Sequence, residues 1–182
     1  MSVYFTADTH FSHKNIIKFS NRPFESVDDM NATIIEKWNS KVSTEDTVYH
    51  LGDVALCSSG KLRNILEKLN GNICLIRGNH ESAANSCESA FEWVKDYHEL
   101  ILEDKEAYQG KRLIVLSHYA MRVWNSSHHG SWHLYGHTHG ELEDLPNSLS
   151  FDVGVDCHDF YPISYDEVKT IMSRKNWVSP FN

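Results

Sequence analysis

Short apolar runs alternate with longer amphipathic stretches through the first half of the chain. Residues 2–7, 47–51 and 73–76 are apolar with little alternation, the pattern of strands buried on both faces. Between them the period changes to that of a helix. Ser26 with Asp29 three residues on is a carboxylate variant of the capping box, and Ile34, Ile35 and Trp38 supply the buried stripe behind it. Residues 60–69 place Leu62, Ile65, Leu66 and Leu69 on one helical face, and Asn70-Gly71-Asn72 marks the turn into the third strand. Residues 8–25 read as a polar loop, and residues 83–93 as a further helix. Strands separated by helices of this length imply crossover units and a sheet with much parallel character.

The texture then changes. Residues 97–103 and 111–116, on either side of Gly110, read as a hairpin, and residues 131–135 and 149–155 follow with little helix between them. This predicts a second, largely antiparallel sheet. Ser164 and Glu167 form a capping box that opens a last helix, running to Met172 or Ser173. No repeat, low-complexity tract or linker interrupts the chain. Its 182 residues suit one domain spanning residues 1–182, and 41% hydrophobic with 23% charged residues is an ordinary globular balance.

Charge narrows the partners. A formal net charge of −8 argues against a protein that coats nucleic acid, which needs a basic face, but not against a nucleotide held through metal ions. Nothing approaches the length of a membrane span, and Met1–Asp8 carries neither the basic nor the apolar region of a leader. Cys57, Cys74, Cys87 and Cys157 show no CxxC pairing, as expected of reduced thiols in a cytoplasmic protein. No signal for an oligomeric state is apparent.

Five of the strand-like runs share one layout: apolar residues, then Asp, His or Asn just past the end. They are Asp8-Thr9-His10, Gly52-Asp53, Gly78-Asn79-His80-Glu81, Ser117-His118 and Gly136-His137-Thr138-His139. Each has an innocent reading alone, such as an Asp–His hydrogen bond in a loop. Together they deliver carboxylate, imidazole and carboxamide donors to one end of the strands, a ligand set suited to divalent transition ions. Asp53 is the strand-end carboxylate placed to bridge two ions with its two oxygens.

These blocks resemble, in order, those of the calcineurin-like metallophosphoesterase superfamily. The run Thr6–Phe11 with His13–Ile17, Asn21-Arg22-Pro23-Phe24 and Gly154-Val155-Asp156 is similar to small phosphoesterases of bacteria and their phages. The resemblance implies an α/β fold, a four-layer α/β/β/α sandwich with two mixed sheets flanked by helices. It implies that Asp8, His10, Asp53 and His139 hold one metal, with Asp53 bridging to a second held by Asn79, His118 and His137. His80 would stand beside the scissile phosphate as the catalytic residue. Two ions roughly 3.5–4 Å apart make a bridging hydroxide and clamp phosphoryl oxygens for in-line attack. Imidazole, titrating near neutrality, suits protonation of a leaving oxygen.

The activity implied is phosphodiester hydrolysis on a nucleotide-type or other small substrate. A phosphomonoesterase akin to the protein phosphatases and a non-enzymatic interaction module are the alternatives. Mn is the expected ion, with Fe, Zn or Ni also compatible. Arg22, Arg77 and Asn15 are candidates for substrate contact, although either arginine could instead pair with a carboxylate. Trp124, Trp132 and Tyr135 could stack on a base or simply be buried, and His128, His129 and His133 read as exposed loop histidines.

Overall fold

The computed structural model describes residues 1–180. Its first sheet contains β1 (Val3–Thr6), β2 (Thr47–His50), β3 (Asn72–Ile76), β4 (Trp93–Lys95) and β9 (Ile163–Ser164), in the order β4-β3-β2-β1-β9. β1 to β4 run parallel, and β9 pairs antiparallel with β1. The second sheet has the order β5-β6-β7-β8, from β5 (His98–Glu103), β6 (Lys111–Leu116), β7 (Trp132–Tyr135) and β8 (Ser150–Asp152). Together they form an α/β fold of two mixed sheets with flanking helices, as the resemblance implies.

Both faces of the first sheet are buried, which explains why its strands lack clean alternation. On the outer face Val48, Ile73 and Leu75 pack against Met30, Ile34 and Trp38 of α2 (Val27–Lys41) and Leu62, Ile65 and Leu66 of α3 (Ser59–Leu66). On the inner face Phe5, Tyr49, Cys74 and Ile76 meet Ile114, Leu116, Trp132 and Leu134 of the second sheet. α5 (Tyr165–Ser173) adds Val168 and Met172 to that core, and the Ser164–Glu167 capping box forms in full. Ser26 likewise caps α2 by accepting from the Asp29 amide.

Three expectations need correction. The second sheet is not largely antiparallel: only β5–β6 is, while β6–β7 and β7–β8 are parallel. The connections 117–131 and 136–149 are long enough to cross over without a regular helix, so the missing helical pattern misleads about strand direction. Residues 83–93 are not one helix. α4 (Ser82–Asn85) and a 3-10 turn (Glu88–Ala90) lead into β4, where Trp93 pairs with Cys74. Asn85 and Ser86 are weak helix formers, and pairing with β3 outweighs local propensity there. Finally, the loop 8–25 contains a one-turn helix, α1 (Ile16–Phe19).

Candidate metal centre

Parallel registry puts the five candidate segments on one edge. Thr6 lies opposite His50, and His50 opposite Leu75, so β1, β2 and β3 end together. Leu116 lies opposite Leu134 in the second sheet, so β6 and β7 end together as well. Ligand-bearing loops therefore leave the carboxyl ends of five strands, where open α/β sheets bind their ligands. The Gly136 amide donates to the His118 carbonyl (3.0 Å) within the second sheet's edge, and the His137 amide joins the two sheets by donating to Asp8 Oδ2 (2.8 Å).

The backbone bends sharply at the donors themselves. Asp8 (φ 57°), His10 (48°), Asp53 (57°), His137 (69°) and His139 (50°) all adopt left-handed conformations. Each such non-glycine residue costs about 1–2 kcal/mol, a strain that clusters at functional sites and is held by surrounding bonds. Here the Asp8 amide donates to the Gly52 carbonyl (2.9 Å) and the His10 amide to the Asp53 carbonyl (3.0 Å). Gly78 permits a different constraint, close approach: a Cβ there would lie 2.2 Å from Asp53 Oδ1.

The side chains converge in two groups, Asp8–His10–His139 and Asp53–His118–His137, each with its ligand atoms within 4.8 Å of one another. Asp53 stands between them, Oδ2 3.6 Å from His10 Nε2 and Oδ1 3.7 Å from His118 Nε2. Tautomers follow from fixed acceptors. The Leu51 carbonyl can only accept, so His118 Nδ1 donates to it (2.7 Å), leaving the Nε2 lone pair facing Asn79 Oδ1 (3.0 Å). His139 Nδ1 donates to Asp156 Oδ2 (2.7 Å), again freeing Nε2.

These donors fit metal ions. Asp8 Oδ1 and His10 Nε2 are buried with no hydrogen-bond partner, which is costly unless something electropositive meets them. Burial, then the nearby Asp152, pushes the Asp8 carboxyl well above its usual range. Burial and the neighbouring His139 push the His10 imidazole down to about 2, which keeps it neutral and ligand-competent. A bound cation would favour the ionised carboxylate and take up the imidazole lone pairs.

Behind the donors lies a supporting shell that the sequence reading only partly anticipates. Arg22 does not face the cleft. Its buried guanidinium donates through Nε and Nη2 to the two oxygens of Asp156 (both 2.8 Å), and to the Asp8 (2.6 Å) and Thr9 (3.0 Å) carbonyls. Arg77 is likewise engaged, with Asn85, Asp96 and Glu88. Neither these arginines nor Asn15 lines the cleft, whereas His13 does. Glu81, to which the sequence assigns no role, is buried and accepts from the Asp53 and Gly78 amides, tying two ligand loops together. Burial pushes its carboxyl up to about 7. Its signal was its place in the Gly78–Glu81 block, beside more obvious donors. Trp132 and Tyr135 are buried, and His133 is not an exposed loop residue: it is buried in β7, bonded to the Val115 carbonyl and the Met121 amide.

The cleft over these groups has a volume of about 690 Å³. His10, Asp53, Asn79, His80, His137 and His139 lie along it. His80 is exposed there, its amide donating to Asp53 Oδ1 (2.8 Å) and its ring 5.9 Å from that of His10.

Fold and site together define an α/β protein with paired candidate metal clusters at the carboxyl edge of two sheets. The chain belongs to the calcineurin-like phosphoesterase superfamily, whose domain model matches residues 1–149. It is 33% identical over 187 residues to an uncharacterized protein of Methanocaldococcus jannaschii, covering 99% of this chain and 96% of the relative. It is 27% identical to the Gene 66 protein of Mycobacterium phage L5, covering 78% of this chain and 79% of the phage protein. A protein of unknown function from Aquifex aeolicus shares the fold with a TM-score of 0.69 at 24% identity, over 93% of this chain and 98% of that one. An archaeal phosphodiesterase does so with a TM-score of 0.53 at 19% identity, over 85% and 84%.

Proposed function

We propose that this protein is a two-metal phosphodiesterase acting on small, nucleotide-type phosphodiesters, with residues 1–182 forming one catalytic domain. The observation that carries the reading is Asp53, whose two carboxylate oxygens face His10 of one donor group and His118 of the other. Asp8, His10, His139 and Asp53 hold one ion; Asp53, Asn79, His118 and His137 hold the other. Two divalent ions, when bound, supply an activated water and neutralise charge on the phosphoryl oxygens. Mn is the first to test, then Fe, Zn and Ni, because oxygen and nitrogen donors without thiolate accept all of these.

The chain's own residues do the rest. His80 stands in the cleft with its backbone held by Asp53, so its imidazole can give a proton to the departing oxygen. His139 is turned by Asp156, and His118 by the Leu51 carbonyl, so that Nε2 of each faces the centre. The four cysteines are unpaired, which favours a reducing, cytoplasmic setting. Among the described residues no helix is long and apolar enough to cross a membrane.

The test is hydrolysis of bis-p-nitrophenyl phosphate and p-nitrophenyl phosphate after chelation, with single metals restored, for wild type and Asp53→Ala. Metal-restored turnover favouring the diester, absent in Asp53→Ala with every metal, is the expected outcome. Monoester preference would shift the assignment to a phosphatase, and a protein that binds no metal would overturn it.

A further inference from the structure

Exposed apolar side chains line the cleft beside its polar centre. Phe19, Leu56 and Leu142 are 69%, 44% and 48% exposed, yet all three line the same cavity as the candidate ligands, with Ile16 buried behind them. Phe19 sits on the one-turn helix α1, and its ring meets the edge of the His13 ring at 6.3 Å. Large apolar side chains gathered at a polar centre mark a place where a ligand removes them from water.

The charge of the cleft points the same way. None of the residues lining it is Lys or Arg, and Glu141 adds a carboxylate to its wall. Arg22 and Arg77 are committed to Asp156 and to Glu88 and Asp96, and Arg122, four residues past His118, is exposed and lines a separate cavity that shares Leu142. Lys14 precedes α1 and Lys18 lies within it; both are exposed and lie outside the lining. Polyphosphates and nucleic-acid strands carry several charges that need cations along their path. This cleft provides cation-binding chemistry at one point only, and the chain's net charge of −8 adds no general attraction.

We propose that the substrate is a phosphodiester with a single negative charge and one flat, uncharged apolar group, which seats on the ledge formed by Phe19, Leu56 and Leu142. This rests on the phosphodiesterase reading and narrows it. In the reaction a water oxygen bonds to phosphorus, the bond from phosphorus to one ester oxygen breaks, and that oxygen leaves with a proton as an alcohol. A cavity of about 690 Å³ has room for one mononucleotide-sized ester. Extra phosphate groups would meet Glu141, with no Lys or Arg among the described residues that line the cleft.

The experiment compares kcat/KM of the Mn-loaded protein for two pairs of diesters. Thymidine 5′-(p-nitrophenyl phosphate) differs from its 3′-phosphorylated counterpart by one added phosphate group and the charge it carries. Uridine 2′,3′-cyclic phosphate differs from ribose 2,3-cyclic phosphate in carrying a flat base. The singly charged ester should be preferred about tenfold in the first pair and the base-bearing ester about tenfold in the second. Phe19→Ser/Leu142→Ser should shrink the second preference to near one, mostly through KM, as expected for lost apolar burial. Equal or better use of the 3′-phosphorylated ester, or an unchanged preference in the double variant, would overturn the proposal. Methyl NMR separates this from failure of the phosphodiesterase reading. If no diester is hydrolysed but thymidine 5′-(p-nitrophenyl phosphate) shifts the Ile16, Leu56 and Leu142 methyls, the ledge stands and the hydrolytic assignment falls. If those methyls do not move, the ledge falls.

Discussion

Asp156→Asn tests whether the buried Arg22–Asp156–His139 chain positions one metal ion and not the other. The Asp156 carboxylate accepts three bonds: Oδ1 from Arg22 Nε, and Oδ2 from both Arg22 Nη2 and His139 Nδ1. Burial raises its pKa, but these bonds outweigh burial and hold the carboxyl below its usual range, so it is a full anion at neutral pH. In the asparagine variant one oxygen becomes an NH₂ that must face a donor, and the guanidinium, whose side chain is 0% exposed, loses its counter-charge. Breaking a buried pair in this way costs about 3–5 kcal/mol. For a domain of this size that lowers Tm by roughly 6–20 °C. The imidazole of His139 also loses the partner that fixes its tautomer and ring plane, and loss of such a partner typically weakens metal binding about 10- to 100-fold. Mn titration in competition with a chelator should show the loss at the Asp8–His10–His139 site, with the Asp53–His118–His137 site much less affected. Scanning calorimetry measures the stability loss separately. A lower Tm with both metal affinities unchanged would refute the positioning argument, and equal weakening of both sites would reduce the chain to a general packing role.

Other perturbations read other parts of the centre. His80→Ala should retain both metals while activity falls about 10²- to 10⁴-fold, as for loss of a proton donor; elemental analysis beside kinetics distinguishes this from metal loss. Gly78→Ala places a Cβ 2.2 Å from Asp53 Oδ1 and 2.7 Å from the Asp53 amide nitrogen, so metal binding at both sites should weaken together, read by the same chelator competition. Away from the centre, Asp46 accepts from the Ser43 hydroxyl (2.6 Å) and from the Ser2 (2.6 Å) and Ser43 (2.9 Å) amides, which lower its pKa to about 2. Its folded pKa lies below the unfolded value of about 3.9, so its contribution is complete above that pH and is lost as pH falls toward 2. Urea midpoints should show this acid limb in wild type and a flatter one in Asp46→Asn; identical limbs would remove Asp46 from the account.

The helices α2, α3 and α5 and the strands β1 to β3 are legible because local signals and packing agree. Ser26 and Ser164 are caps in sequence and in structure, and the apolar rows of α2 and α3 are the rows that bury. Strand direction in the second sheet was not legible, because side-chain alternation is the same in parallel and antiparallel strands. Only the lengths of 117–131 and 136–149 hinted at crossovers. The segment 83–93 failed for the converse reason: β4 is set by its neighbour β3, which no local pattern records.

The candidate ligands were easier to read than the groups that hold them. A donor past a strand end announces itself by type and place, and five such ends lie on one edge once the strands are in register. Arg22 has the same chemical type whether it binds a phosphate or braces a loop. What decides between these is Asp156, which is distant in sequence and reaches the site only because the residues after β8 pack beside β1 through the Ala7–Gly154 bridge. That bridge brings an anion beneath His139, and the anion needs a cation buried with it. Arg22 therefore braces the first and fifth ligand segments at once, and its side chain has no donor left to offer a substrate at the cleft. The absence of Lys and Arg from the cleft lining and the burial of Arg22 are linked consequences of how this edge is assembled.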